Sequence, residues 1–342
     1  MKFLLTAINA KFIHSNPAIY SLRAGVGEKL QPYVELAEFT INESLESILE
    51  GIWKRQPKVI GFSCYIWNWK LIREILTELP KILPDTEIWL GGPEVTYDGP
   101  GLLREFPQVT GIMVGEGEVT FREVLGQYVR EAESTGQSEQ QPEPDSIEQQ
   151  AADRTGTVAG KNVAERFGQI PGLCLASGYT APRELTDLTT LPFLYEDMEP
   201  FTNRIIYYET SRGCPYRCSY CLSSIDKKVR LRDIDVVKRE LQFFLDQNVK
   251  QVKFIDRTFN CDHKHAMEIW RYIYEHDNGV TNFHFEISAD ILREEEIALL
   301  NRFRPGLAQL EIGVQSTNPE TIRAIHRVMD VDKLEKIVAA IH

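Results

Sequence analysis

Along most of its length the chain alternates short runs of Val, Ile and Leu with stretches of helical periodicity. Within residues 1–130 the apolar runs are KFLLTAIN, VELAEF, KVIGFSCY, TEIWLGG and VTGIMV. Helical patterns separate or follow them: PAIYSLRAGVGEKL, SLESILEGIW with Ser44 as its cap, NWKLIREILTELPKIL and EVTFREVLGQYVREA. Strands that are apolar on both faces need helices on both faces. The pattern therefore predicts an α/β domain, a doubly wound, Rossmann-like parallel sheet. Such sheets bind ligands at the carboxyl ends of their strands, near the point where strand order reverses.

The second half repeats the alternation. IIYYET, VKFIDRTF, NFHFEIS and LAQLEIGVQS read as strands, each followed by a helix, the last from about residue 331. Four strand–helix units in a row predict part of a (β/α) barrel, whose functional residues sit at the C-terminal ends of its strands.

Between the halves the composition changes. Residues 131–154 hold seven acids and one Arg, half of the formal net charge of −12. With almost no large apolar side chain this stretch cannot offset the entropy of ordering, and it predicts a disordered acidic insertion over 131–161. Residues 162–200 read as a connector with a small β-hairpin, in which Cys174 is a buried core thiol. The core of the second domain spans 201–342. No apolar run reaches the roughly 18 residues of a membrane span, and MKFLLTAINAKFIH reads as a first strand rather than a signal peptide. Nor does the charge distribution give the footprint of a nucleic-acid binder.

Half of the six cysteines crowd into SRGCPYRCSYC, residues 211–221. That is a metal pattern of a reducing cytoplasm rather than a disulfide framework. Cys214, Cys218 and Cys221 are spaced C-x₃-C-x₂-C, on a loop after the first strand of the second domain. Structural zinc sites take four protein ligands, and here Cys261, His263 or His265 would have to supply the fourth. Iron–sulfur clusters also normally take four cysteines, so a trio leaves one iron open.

This loop, in this position, resembles the radical SAM superfamily. The resemblance implies a [4Fe–4S] cluster on the three cysteines, with S-adenosylmethionine (SAM) on the open iron. An electron cleaves the sulfonium to give methionine and a 5′-deoxyadenosyl radical. An electron donor such as flavodoxin or ferredoxin is implied as a partner. Tyr220 matches an aromatic residue before the last cysteine. LEIGVQS resembles the fourth-strand pattern, which implies that Gln315, with Ser316 beside it, meets the SAM ribose. Arg327 matches an Arg that pairs with the SAM carboxylate. Glu286 and Glu311 alternate with apolar residues, which fits either a SAM contact in the barrel mouth or a salt bridge inside the barrel. Asp256 and Thr258 stand where the family usually contacts the SAM amino group.

The strand ends of the first domain carry Ser63, Gly91-Gly92 and Gly115-Glu116-Gly117-Glu118. Glycines there permit either a plain turn or a close backbone approach to a ligand. The ordered set resembles the flavodoxin-like cobalamin (B12)-binding domain found before many radical SAM enzymes. That resemblance implies cobalamin contacts at Ser63, Gly91, Gly92, Gly115, Glu116 and Gly117. The D-x-H-x-x-G motif is absent: around His14 stand Phe12 and Pro17, so cobalamin without a histidine ligand is expected.

The family core has six strand–helix units and four are read here, so a fragment of a longer protein is expected. The implied reaction is radical methyl transfer from cobalamin to an unactivated carbon. A non-methylating, cobalamin-assisted rearrangement and a non-catalytic cofactor-binding fragment are the alternatives. A methylthiotransferase would need a second cluster in the first domain, and residues 1–130 offer only Cys64. No motif specifies the substrate.

Overall fold

The computed structural model describes residues 1–134 and 163–341. It divides into two units, Met1–Thr186 with Leu194–Glu196, and Asp187–Phe193 with Asp197–His342.

In the first unit the strands are β1 (Phe3–Asn9), β2 (Val34–Thr40), β3 (Val59–Ser63), β4 (Glu87–Gly91) and β5 (Val109–Met113). They alternate with α1 (Pro17–Gly25), α2 (Leu45–Trp53), α3 (Trp69–Ile82), α4 (Gly99–Glu105) and α5 (Gly117–Ser134). The order is β2-β1-β3-β4-β5, all parallel. This is the doubly wound sheet expected, with its order reversing beside β1. Two-residue periodicity sends Leu4, Ile60 and Leu90 to one face, against Ile48, Ile72 and Ile75. It sends Phe3, Leu5 and Trp89 to the other, against Phe121 and Leu125. Ser44 caps α2 as expected, accepting from the Ser47 amide at 3.2 Å.

Two element ends differ from expectation. Helix α1 stops at Gly25 instead of reaching Leu30, because Gly27 at φ +78° turns the chain. Helix α5 runs to Ser134, so residues 131–134 of the expected insertion are helical. Glu131 is anchored there by Arg166 at 2.9 Å. The rest of the expected insertion, residues 135–161, lies outside the described residues. After α6 (Val163–Phe167), the connector hairpin β6 (Leu173–Leu175) and β7 (Gly178–Tyr179) adds to the first sheet. Its β6 pairs antiparallel with β5, and Cys174 is fully buried.

The second unit holds β8 (Ile206–Tyr208), β11 (Gln251–Phe254), β12 (Asn282–Ile287) and β13 (Ala308–Ile312), parallel and side by side. Helices α7 (Ile234–Asp246), α8 (His263–Glu275) and α9 (Glu294–Leu300) follow the first three strands. α10 (Pro319–Ala324) and α11 (Val331–Ile341) follow the fourth. Between β8 and α7 lies a two-stranded ladder of β9 (Ser211–Arg212) and β10 (Arg230–Leu231). One face of the four-stranded sheet is aromatic, with Phe254 and Phe285 at 4.5 Å, and is buried. The opposite face carries Lys253, His284, Glu286 and Glu311, because alternate residues point the other way.

Among the described residues, no helix is long and apolar enough to cross a membrane.

Gly92 sets a limit on the first sheet. At φ +110° its Cβ position lies 2.5 Å from the Cys64 carbonyl oxygen, which is backbone and cannot move aside. Gly115 at φ +80° meets nothing within 4 Å. Gly92→Ala should therefore cost at least about 2 kcal/mol more than Gly115→Ala in urea unfolding, since both are strained but only one clashes. Equal losses would show that the strand-end packing is not what demands Gly92.

Candidate functional site

The cysteine loop begins where β8 ends, and a buried carboxylate holds it there. Asp256, 1% exposed, follows β11. Its Oδ2 accepts from the Thr210 amide at 3.0 Å, and its Oδ1 from the Thr210 hydroxyl at 2.7 Å and the Ser211 hydroxyl at 2.6 Å. Burial pushes this carboxyl up to about 6, against the donors that hold it down. Gly213 at φ +98° then lets the chain pass the Lys228 carbonyl, 2.5 Å from where a Cβ would stand. The Cys214 amide donates to Asp226 O at 3.0 Å, and Arg212 pairs with Arg230 across the ladder. Both ends of the loop are thus tied together.

Within it, Cys214 and Cys218 are buried at 8% and 7% exposure and Cys221 is half-buried, all as unpaired thiols. The three line one cavity of about 210 Å³, together with Tyr220, Glu286, Glu311, Gln315 and Arg327. Tyr216, Arg257, Thr258 and Ser288 also line it, and sequence reasoning had singled out only Thr258 among them. The Thr258 hydroxyl lies 3.6 Å from Cys214 Sγ. Ser316 is not among the lining residues; its hydroxyl accepts from the Asn318 amide at 3.1 Å and shapes the turn into α10.

Arg327, expected to face a ligand carboxylate, ties two parts of the site together. Its Nη1 donates to the Tyr220 hydroxyl at 3.1 Å and its Nη2 to the Gly313 carbonyl, while its buried Nε has no partner. The Ser219 amide reinforces the tie by donating to Ile325 O at 3.0 Å. Gln315 sits at φ +63°, a left-handed conformation that a non-glycine residue adopts at a cost. Glu311 accepts from Lys253 at 3.1 Å, which holds its carboxyl below the usual range. Glu286 lies 3.8 Å from Lys253 and is raised by burial. The two glutamates therefore line the cavity and also join a salt bridge across the sheet.

Of the side chains a zinc site would recruit as its fourth ligand, His263 is engaged elsewhere. His263 Nδ1 is 2.9 Å from Glu296, and His265 is buried in α8. Among the described residues, no three of His, Cys, Asp and Glu converge on a single metal ion. Three thiols on one cavity wall suit a larger cluster better.

In the first unit, Ser63, Gly91, Gly92 and Gly115 all stand at the carboxyl edge of the sheet. Ser63 Oγ accepts from Asn16 Nδ2 at 3.2 Å. Two residues of the expected set also have protein contacts. Glu116 accepts from the Thr186 amide at 2.7 Å, and Gly117 packs with its Cβ position 3.0 Å from Leu22. A network that sequence reading missed fixes the loop after β1: Glu38 Oε1 accepts from Asn9 Nδ2 at 2.8 Å and from the Asn16 amide at 3.1 Å. His14 lies on that loop, its carbonyl accepting from Asn9 at 3.1 Å. On the loops after β1, β3 and β4, Phe12, Ile66 and Tyr97 are exposed at 65%, 81% and 59%. Open space at Gly115 and this apolar rim fit a large flat ligand.

Family models match both units: the B12 binding domain over residues 4–125 and the Radical SAM superfamily over 208–342. The chain is a radical SAM superfamily protein with an N-terminal B12-binding domain. The two matched families are accordingly those of cobalamin (B12) and SAM as cofactors. It is 27% identical over 228 residues to the 2-(S-pantetheinyl)-carbapenam-3-carboxylate methyltransferase of Streptantibioticus cattleyicolor, covering 64% of this chain and 29% of that protein. It is 21% identical over 304 residues to the anaerobic magnesium-protoporphyrin IX monomethyl ester cyclase of Rubrivivax gelatinosus, covering 86% and 50%. The solved structure of the radical S-adenosylmethionine methyltransferase TsrM from Kitasatospora setae, with tryptophan substrate and aza-SAM bound, matches with TM-score 0.68. That match covers 99% of this chain and 65% of the other at 18% identity, a likeness of fold. The chain thus spans less than two thirds of each of these proteins.

Asp256 yields a pH test. An unfolded Asp titrates near about 4, so its raised folded value contributes stability that is present below about pH 4 and lost as the pH rises through about 6. Urea unfolding of wild type and Asp256→Asn across this window should show the difference moving in the variant's favour by roughly 3 kcal/mol. A difference that stays constant with pH would show that Asp256 does not titrate there.

Proposed function

We propose that this protein is a cobalamin-dependent radical SAM methyltransferase that transfers a methyl group to an unactivated carbon. The observation that carries the reading is the trio of unpaired thiols, Cys214, Cys218 and Cys221, on one wall of a single cavity. These three would hold a [4Fe–4S] cluster with one open iron. When bound, the cluster supplies the electron that cleaves SAM, and cobalamin supplies the methyl group.

The chain's own residues would bind and orient. Gln315 and Tyr220 would meet the nucleoside end of SAM. Arg327, a planar fork with its Nε unpaired, would take the carboxylate by leaving Gly313 or Tyr220. Glu286 and Glu311 would face the amino group. Ser63, Gly91, Gly92, Gly115, Glu116 and Gly117 would border the cobalamin, with no imidazole from His14 on the cobalt. A low-potential electron donor of the flavodoxin or ferredoxin type and a reducing cytoplasm complete the reading.

A second reading is a non-methylating radical reaction, favoured by the cyclase relative that aligns over 86% of the chain. Chromatography separates the two. Methyl transfer leaves S-adenosylhomocysteine as well as 5′-deoxyadenosine and methionine, whereas the non-methylating reaction leaves no S-adenosylhomocysteine.

Anaerobic reconstitution tests the site itself. Cys214→Ala, Cys218→Ala and Cys221→Ala should each lose the visible absorbance of the cluster and most of its iron, while Cys64→Ala keeps both. Iron content equal in all four variants would refute the assignment. In the first unit, His14→Ala should leave the spectrum of added cobalamin unchanged. A spectral change would make the imidazole a ligand after all.

A further inference from the structure

Two buried asparagines hold Ser63, the last residue of β3, from two sides. Asn68 is fully buried and Asn16 is 4% exposed. Asn68 Oδ1 accepts from the Tyr65 amide at 2.8 Å, so its Nδ2 faces the carbonyls of Ile8 and Ser63, each at 3.0 Å. The Ser63 backbone is thereby held to the end of β1. Asn16 holds the side chain. Its Oδ1 caps α1 by accepting from the Ile19 amide at 3.4 Å, and its Nδ2 donates to Ser63 Oγ at 3.2 Å. Exchanging the two ends of this amide would set its NH2 group against the Ile19 N–H, so the direction of the bond is fixed. Ser63 therefore accepts from Asn16 and cannot donate to it. A serine hydroxyl has one proton, and among the described residues no acceptor takes the proton of Ser63.

We propose that Asn16 is a positioning residue that makes Ser63 a committed donor to the ligand at the carboxyl edge of the first sheet. The inference rests on the cobalamin assignment above. Cobalamin offers acceptors in two places: the phosphate and base of its nucleotide tail, and the amide carbonyls around its ring. An acceptor that reaches Ser63 meets a proton already turned away from Asn16, so less orientational freedom is lost on binding. Ser63 is half-buried, and there a polar group left unmatched is costly. Glu38 keeps Asn16 in place by accepting its backbone amide at 3.1 Å. If the Asn16–Ser63 bond only tied the loop after β1 to β3, its direction would not matter.

Asn16→Asp separates these roles. One carboxylate oxygen still caps α1, as Asp does well, and the other accepts from Ser63, so the tie remains and its direction reverses. Titration of the full chain with hydroxocobalamin, followed by tryptophan fluorescence, should give a dissociation constant raised about tenfold by Asn16→Asp and about as much by Ser63→Ala. The double variant should bind no more weakly than either single one, because the proton is lost only once. Should Asn16→Asp prove unfolded by circular dichroism, Asn16→Ala carries the same test: it weakens binding less, and its effect vanishes in the Ser63→Ala background. Dicyanocobinamide, which keeps the ring and lacks the nucleotide tail, locates the acceptor. Losses confined to cobalamin place it on the tail, and losses shared by both ligands place it on the ring. Unchanged affinity in Asn16→Asp overturns the proposal. So do losses that add in the double variant, which mark a purely structural tie. If the unaltered protein binds neither ligand, the functional reading falls first and this inference with it.

Discussion

Asp256 joins two neighbouring strands at the point where the chemistry would begin. Its carboxylate takes an amide and two hydroxyls from Thr210 and Ser211, so the backbone leaves β8 in one direction only. A buried carboxylate is costly without partners, and three donors offset that cost while ordering the loop. From this clasp follow the pairing of Arg212 with Arg230, the tight passage at Gly213 and the placement of Cys214 beside Thr258. On its far side the loop is fastened again, by Arg327 to Tyr220 and by Ser219 to Ile325. The three thiols therefore stand on a segment fixed at both ends, which suits a cluster that must not shift during electron transfer.

The first unit solves a similar problem with neutral groups and one acid. Glu38 gathers Asn9, Asn16 and Tyr20, while Asn68 bonds to the carbonyls of Ile8 and Ser63. The loops flanking the reversal of strand order are thereby held to the sheet. The apolar side chains they carry are left exposed at its carboxyl edge. Rigid backbone with an open apolar rim is an economical way to receive a wide, flat cofactor.

Arg327 shows how one residue can serve both structure and ligand. Its two Nη groups brace the cavity, and its Nε is left unsatisfied in a buried place. An unsatisfied buried donor is unfavourable, so a ligand carboxylate that satisfied it would gain more than its own two bonds. Glu286 and Glu311 have the same double character, since the Lys253 bridge and the cavity wall share them.

Local signals determined much of this protein. Strand and helix alternation predicted both sheets, because burial on two faces leaves its mark in every few residues. The C-x₃-C-x₂-C spacing pointed to an open-sited cluster, because three thiols close together on one short loop are legible without a fold. Tertiary structure alone decided the rest. Asp256 reaches Thr210 across 46 residues, Glu116 reaches Thr186 across 70, and Arg327 reaches Tyr220 across 107. No periodicity or spacing records such pairs. Sequence could propose Glu116 and Arg327 as ligand contacts, but only the folded chain shows that each already has a protein partner. It also shows β6 and β7 extending the first sheet, a pairing of two short strands too brief to announce their neighbour. Chemistry-bearing residues were readable because their types are rare and their spacing is close. The contacts that position them were not, because they depend on which distant strand ends the fold brings side by side.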